Sequence, residues 1–234
     1  MTEPAVSVAF FDPEHGLHGT ARSGATVLFE GSRSTVRSEG PRVERVEAGW
    51  RAELDGAFSL EFDPVAAPVE LGGVTARLCE VSGTVGATKV SCLGTAGSTA
   101  TPPRWDKLDA VRGLSALFDR RHAFLAVARR PRSAPGHGHE EVAAWLLHDG
   151  EPLTVEDARL STVYDGDGRQ RSAGLELWLP EEDLPRRLSG TVVAGSSLQL
   201  ERVDVHAAVF HWRMEEREGA GSYELAVRRD PEAA

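Results

Sequence analysis

Glu176 and Trp178 share one face of the run Gly174-Leu-Glu-Leu-Trp178, opposite Leu175, Leu177 and Leu179. A carboxyl group beside an indole in a dry site keeps its proton to a higher pH and can donate it. The same pattern also describes a solvent-facing Glu and Trp above a leucine core, because ionised Glu is rarely buried. A second stretch offers area rather than acid. His206, Ala208, Phe210, Trp212 and Met214 alternate along one face of a strand, with Val209, His211 and Arg213 on the other. Aromatic and Met side chains suit a cavity for a hydrophobic ligand. A packed sheet core is the plainer account, since most apolar stripes are core.

Metal chemistry is less well served. Asp165-Gly-Asp-Gly168 followed by Glu176 resembles a calcium loop, but Arg169 and Gln170 stand where an oxygen ligand and a Gly are required. A hairpin turn is the better reading. Gly136-His137-Gly-His139-Glu140-Glu141 gathers ligand types without enough of them for a closed site, unless His15 and His18 fold nearby. The sequence has no Ser-His-Asp order, P-loop or dinucleotide fingerprint. It calls for no metal and no cofactor.

The bulk properties narrow the partners. The 234 residues carry a net charge of −10, which repels a phosphate backbone, so nucleic acid is not an expected partner. Lys89 and Lys107 are the only lysines, and the arginine clusters Arg120-Arg121 and Arg129-Arg130-Pro131-Arg132 read as solvated strand ends. No run approaches the roughly 20 apolar residues of a membrane span. Met1-Thr-Glu-Pro-Ala5 lacks the pattern of a signal peptide, so a cytoplasmic location is expected. Cys79 and Cys92 flank a Gly-rich turn and could face each other across a hairpin; two buried thiols are the simpler expectation.

The elements that must position these residues are strands. In Trp50-Arg-Ala-Glu-Leu-Asp-Gly-Ala-Phe-Ser-Leu-Glu-Phe62 the alternation resumes after Gly56 shifted by one. A loop of Leu54-Asp55-Gly56 with Gly56 left-handed would pair Ala52 with Phe58 and Trp50 with Leu60, placing every large apolar side chain on one face. Period-two patterns recur to the C-terminus. Two segments break them. Positions 94–103 are rich in Gly, Ser, Thr and Pro and read as a loop. Leu108, Val111, Leu114, Ala116, Leu117 and Phe118 fit a short amphipathic helix over 106–118. Each half ends in a long strand, a Gly-bearing turn and a last strand. The expected organisation is a first β unit over 1–104 and a second over 105–234, opening with the helix.

Several segments, in order, carry a family likeness: Arg77-Leu-Cys-Glu-Val-Ser-Gly-Thr-Val, Val90-Ser-Cys-Leu-Gly-Thr-Ala-Gly97, Trp105-Asp-Lys-Leu, Leu160-Ser-Thr-Val-Tyr-Asp, Gly174–Trp178 and Phe210–Tyr223. Through them the chain resembles the carotenoid-hydratase-like superfamily, also called AttH-like or hydroxyneurosporene-synthase-like. Where that family often has a His-Ser-Trp-Gly-like stretch, this chain reads Gly97-Ser98-Thr99-Ala100-Thr101, without the His or the Trp. The resemblance implies an all-β fold of two tandem lipocalin-like antiparallel units. It also implies a small hydrophobic partner, isoprenoid- or lipid-like, held in a barrel by Phe210, Trp212, Met214 and Trp178. A hydratase or cyclase acting on an isoprenoid alkene is the alternative. It would need a proton donor, for which Glu176, Asp109 and His206 are available, and aromatic faces to stabilise a carbocation, Trp178 and Trp212. A structural β module with a filled core is the third reading. An apolar cavity, with or without an acid on its wall, separates the three.

Overall fold

The computed structural model describes residues 5–47, 49–135, 139–200 and 202–229. The hairpin read from the sequence is present as β6 (Trp50–Leu54) and β7 (Phe58–Pro64). Ala52, Leu54, Phe58, Leu60 and Phe62 are all buried on one face. The turn falls one residue later than expected, so Leu54 pairs with Phe58 and Ala52 with Leu60. A slip of two in pairing keeps every side chain on its face. Gly56 is left-handed, with φ 65°, and the Ala57 N–H donates to the Leu54 carbonyl at 2.9 Å.

Eight further strands complete the first sheet: β1 (Ala5–Asp12), β2 (Leu17–Arg22), β3 (Ala25–Glu30), β4 (Arg33–Arg37), β5 (Arg42–Arg45), β8 (Val69–Leu71), β9 (Val74–Val85) and β10 (Thr88–Thr99). Their order is β4-β3-β2-β1-β10-β9-β7-β6-β5, with β8 paired to β9. The second sheet uses β11 (Leu108–Asp119), β12 (His122–Pro131), β13 (Glu141–His148), β14 (Glu151–Thr154), β15 (Asp157–Tyr164), β16 (Gln170–Trp178), β17 (Arg186–Gln199), β18 (Val203–Met214) and β19 (Arg217–Arg228). Its order is β14-β13-β12-β11-β19-β18-β17-β16-β15. In both sheets the first strand lies beside the last, and the meander is unpaired after its fourth strand. Each sheet curls around its own core. Among the described residues no helix is long and apolar enough to cross a membrane.

The helix expected over 106–118 is strand β11 instead. Ala110, Leu114 and Ala116 enter the core of the second unit, while Leu117 packs against the first. A strand buried on both faces loses its polar alternation, and the apolar run that remains mimics a helix. The loop expected from position 94 is also overturned, because β10 continues to Thr99. A Cβ on Gly94 would lie 2.3 Å from the Ala9 carbonyl oxygen. The glycine marks close strand packing, not a turn.

Among the described residues four apolar clusters result, the smallest being Val203, Val205 and Ala226 at one end of the second sheet. Phe10, Phe58, Leu60, Phe62 and Val81 fill the first unit. Phe124, Leu146, Leu175, Leu177, Phe210 and Trp212 fill the second. Phe11, Phe29 and Leu78 of the first unit meet Leu125, Trp145 and Val209 of the second at the junction between them.

Candidate functional site

The face singled out on β18 is core. Phe210, Trp212 and Met214 have relative exposures of 0%, 0% and 1%, so they are packed within the sheet's interior. Phe210 stacks on Trp212 with ring centres 5.2 Å apart and lies 5.5 Å from the ring of Tyr223. These residues fill the barrel rather than wall an open space, because Leu175, Leu177 and Leu188 from β16 and β17 close over them.

The three candidate proton donors are not brought together. Leu175, Leu177 and Leu179 point into the core, and Glu176 points outward to Arg187 at 3.1 Å. Trp178 lies outward too, with the Arg159 guanidinium 5.7 Å from its ring centre. Asp109 sits between Arg228, at 3.5 Å, and Arg132, at 3.8 Å. His206 meets the Ser197 hydroxyl at 2.7 Å; burial pulls its pKa down while Asp204 partly opposes.

In the Asp165 turn, the carboxylate accepts the N–H groups of Asp167 and Arg169, each at 2.9 Å, which is the hairpin reading. The Arg169 N–H leads in holding this carboxyl below its usual range. His137 lies outside the described residues. Cys79 and Cys92 are free thiols. Gly94 lies opposite Cys79, and Val81 opposite Cys92, so the two are diagonal neighbours. Burial pushes both thiols up to about 12, which leaves them protonated and unreactive at neutral pH.

Sequence reasoning missed a buried polar group in the second unit. Arg112 on β11 pairs with Glu140, at side-chain exposures of 4% and 6%. The Arg112 guanidinium also donates to the Tyr164 hydroxyl at 3.1 Å. Tyr223 and Thr162 share a hydrogen bond of 2.7 Å, and the Gln170 amide donates to the carbonyls of His206 and Tyr223. Burial pushes the Tyr223 hydroxyl above its usual range, with Arg112 opposing. The available signal was a charged residue at an inward position of β11, hidden while that segment read as a helix.

Open space lies between the units instead. A cavity of 190 Å³ is walled by β1, β2, β9 and β10 of the first unit and by β11, β12 and β19 of the second, with Leu71 of β8. Small residues from distant strands make the room: Ala9, Ala76, Ala96 and Gly97 on one side, Gly113, Ser115, Ala126 and Ser222 on the other. A Cβ built on Gly113 meets no heavy atom within 4 Å. An ion pair between Arg22 and Glu224 crosses from unit to unit along the wall. On the second unit's wall, the Ser115 hydroxyl accepts the Ser222 N–H at 2.9 Å and bonds the Ser222 hydroxyl at 2.9 Å.

No protein-family model matches the chain, and no curated protein does so at a significant level. Solved structures do match. A candidate AttH from Nitrosomonas europaea is similar over 95% of this chain and 91% of its own, with a TM-score of 0.62 and 13% identity. Kievitone hydratase from Nectria haematococca is similar over 97% and 89%, with a TM-score of 0.53 and 12% identity. The all-β fold of two tandem lipocalin-like units is therefore shared with these proteins, as the sequence resemblance implied.

Proposed function

We propose that this protein binds a small, largely apolar molecule in the cavity between its two β units. The observation that carries the reading is the 190 Å³ space at the junction, walled mainly by Ala, Val, Leu and Gly with a few polar groups. Ligand sites of this composition recur where two structural units meet. Cavities of about 150 Å³ hold a benzene ring, so one ring fits here. Phe210, Trp212 and Met214 would support the second unit from within, below the site rather than on its wall.

Titration with toluene, followed by ligand-observed NMR, tests the reading. Saturable binding to the wild type is expected, with loss in Gly113→Val, whose side chain occupies the open space. Toluene that never saturates the wild type rejects it.

Alkene hydration is the second reading, suggested by the name of one structural neighbour. Glu224 favours it, as a carboxylate on the cavity wall. Its carboxylate is already engaged by the Arg22 guanidinium, which is why binding stands first. Hydration of a small alkene that Glu224→Gln abolishes, with toluene binding intact, would make the protein an enzyme.

A further inference from the structure

Resting on the cavity reading above, we infer that the ligand is a neutral, oxygen-bearing ring compound whose oxygen accepts a hydrogen bond from the Ser115–Ser222 pair. Ser115 is 3% exposed and lies on the cavity wall beside Ser222. The register of β11 on β19 runs from Gly113 opposite Glu224 to Leu114 opposite Tyr223, then resumes at Leu117 opposite Ala220. In the interval the Ser222 N–H turns to the Ser115 hydroxyl oxygen, at 2.9 Å. A side chain thus takes a donor that a strand ladder would normally satisfy, at the point where the two strands floor the cavity.

The hydroxyl hydrogens can be counted. Ser115 and Ser222 have one each, and the single bond between their oxygens, 2.9 Å long, uses one. If Ser222 donates, Ser115 accepts twice and keeps its own O–H. If Ser115 donates, Ser222 keeps its own. In either arrangement one O–H is left at the cavity wall, and it needs an acceptor. Where the O–H left over is that of Ser115, at 3% exposure, a donor without a partner is costly, so a ligand carbonyl, ether or hydroxyl oxygen is favoured there over a hydrocarbon. The charged groups on the wall do not ask for an acid. Arg22 is already matched by Glu224, so a carboxylate ligand would bring an unmatched negative charge beside Glu224.

Three probes that share a six-membered ring test this: cyclohexanone, methylcyclohexane and cyclohexanecarboxylate, titrated into the full chain. Cyclohexanone is expected to bind about three- to tenfold tighter than methylcyclohexane, the range of one neutral hydrogen bond, and the carboxylate weakest. Ser222→Ala should keep the preference, because Ser115 then holds the free O–H. Ser115→Ala/Ser222→Ala should bring the ratio of ketone to hydrocarbon to about one. The carbonyl stretch of cyclohexanone bound to the wild type gives a readout that needs no variant: a shift to lower frequency than in hexane supports the inference. An unshifted band, equal binding of ketone and hydrocarbon, or tightest binding of the carboxylate overturns it while leaving the cavity site standing. If no probe saturates, or Gly113→Val changes nothing, the cavity site itself fails and this inference with it.

Discussion

The two units run their strands in the same order around different interiors. The core cluster of the first runs from Phe10 and Phe58 to Phe62 and Val81, and among the described residues the buried polar side chains of that unit are Asp12, His18 and Thr26. In the second, the Arg112–Glu140 pair, Tyr164, Tyr223 and Gln170 lie within or beside an otherwise apolar filling. A shared meander therefore does not decide what its interior contains. Neither interior holds the cavity. That space arises where small side chains of both units coincide at the junction, so the binding site proposed for it belongs to the pair and to neither unit alone.

The largest expected effect breaks or sharpens the claim that both interiors are filled. Trp212→Ala and Phe62→Ala should each cost ~3–5 kcal/mol in chemical denaturation, the range for a large aromatic removed from a close-packed core. Trp212→Ala should leave toluene affinity at the junction nearly unchanged. A much smaller loss for Trp212 than for Phe62 would mean that the second unit opens in solution, and would return Phe210, Trp212 and Met214 to the binding site.

Next in size is the polar difference. Glu140→Ala should destabilise by about 3 kcal/mol, because the Arg112 guanidinium loses its buried carboxylate. Replacing both, as Arg112→Met/Glu140→Leu, should recover most of the loss, since an apolar pair of similar volume removes the desolvation cost as well. Urea melts of the two variants check this; a double variant as unstable as the single one would show that the charges are needed for the fold itself.

These contrasts also explain what could be read from the sequence. The β6–β7 hairpin was legible because one of its faces is wet, and even a pairing slip of two left its buried face correct. Strand β11 was not, because burial on both faces erased the alternation. Gly113 looked like a weak point in a helix, yet its missing side chain is part of the cavity. Gly94 looked like a loop and is a close strand contact. The cavity depends on which small residues from seven or more strands face one another, and no local pattern encodes that. Ser115 and Ser222 are 107 positions apart, each unremarkable alone.

A smaller effect tests the hairpin. Gly56→Val should cost ~1–2 kcal/mol, because a β-branched residue is strained at positive φ. Asp55→Pro should cost less, since Asp55 is not among the positive-φ positions and the extended Leu54 before it suits a following proline. Thermal melts rank the two; a larger loss for the proline variant would contradict the turn geometry.

The smallest effect compares one histidine from each unit. His18 is 4% exposed, lying opposite Phe11 and Phe29 in the strand register. Burial lowers its pKa from 6.5, with Asp12 only partly opposing. His206 is lowered for the same first reason but is less buried, and its ring nitrogen already meets Ser197. A folded-state pKa below the unfolded one means that the unfolded chain takes up the proton first as pH falls. Stability is therefore level above about pH 6.5, declines as the pH drops from there toward the folded-state pKa, and levels again below it. The decline should be mainly His18's, because desolvation weighs more on the deeper ring. Denaturant melts between pH 7.5 and pH 5 should show His18→Asn flattening this part of the curve more than His206→Asn does. Equal flattening, or a curve unchanged by His18→Asn, would mean that the first unit's junction face is wetter than its packing against Phe11 and Phe29 indicates.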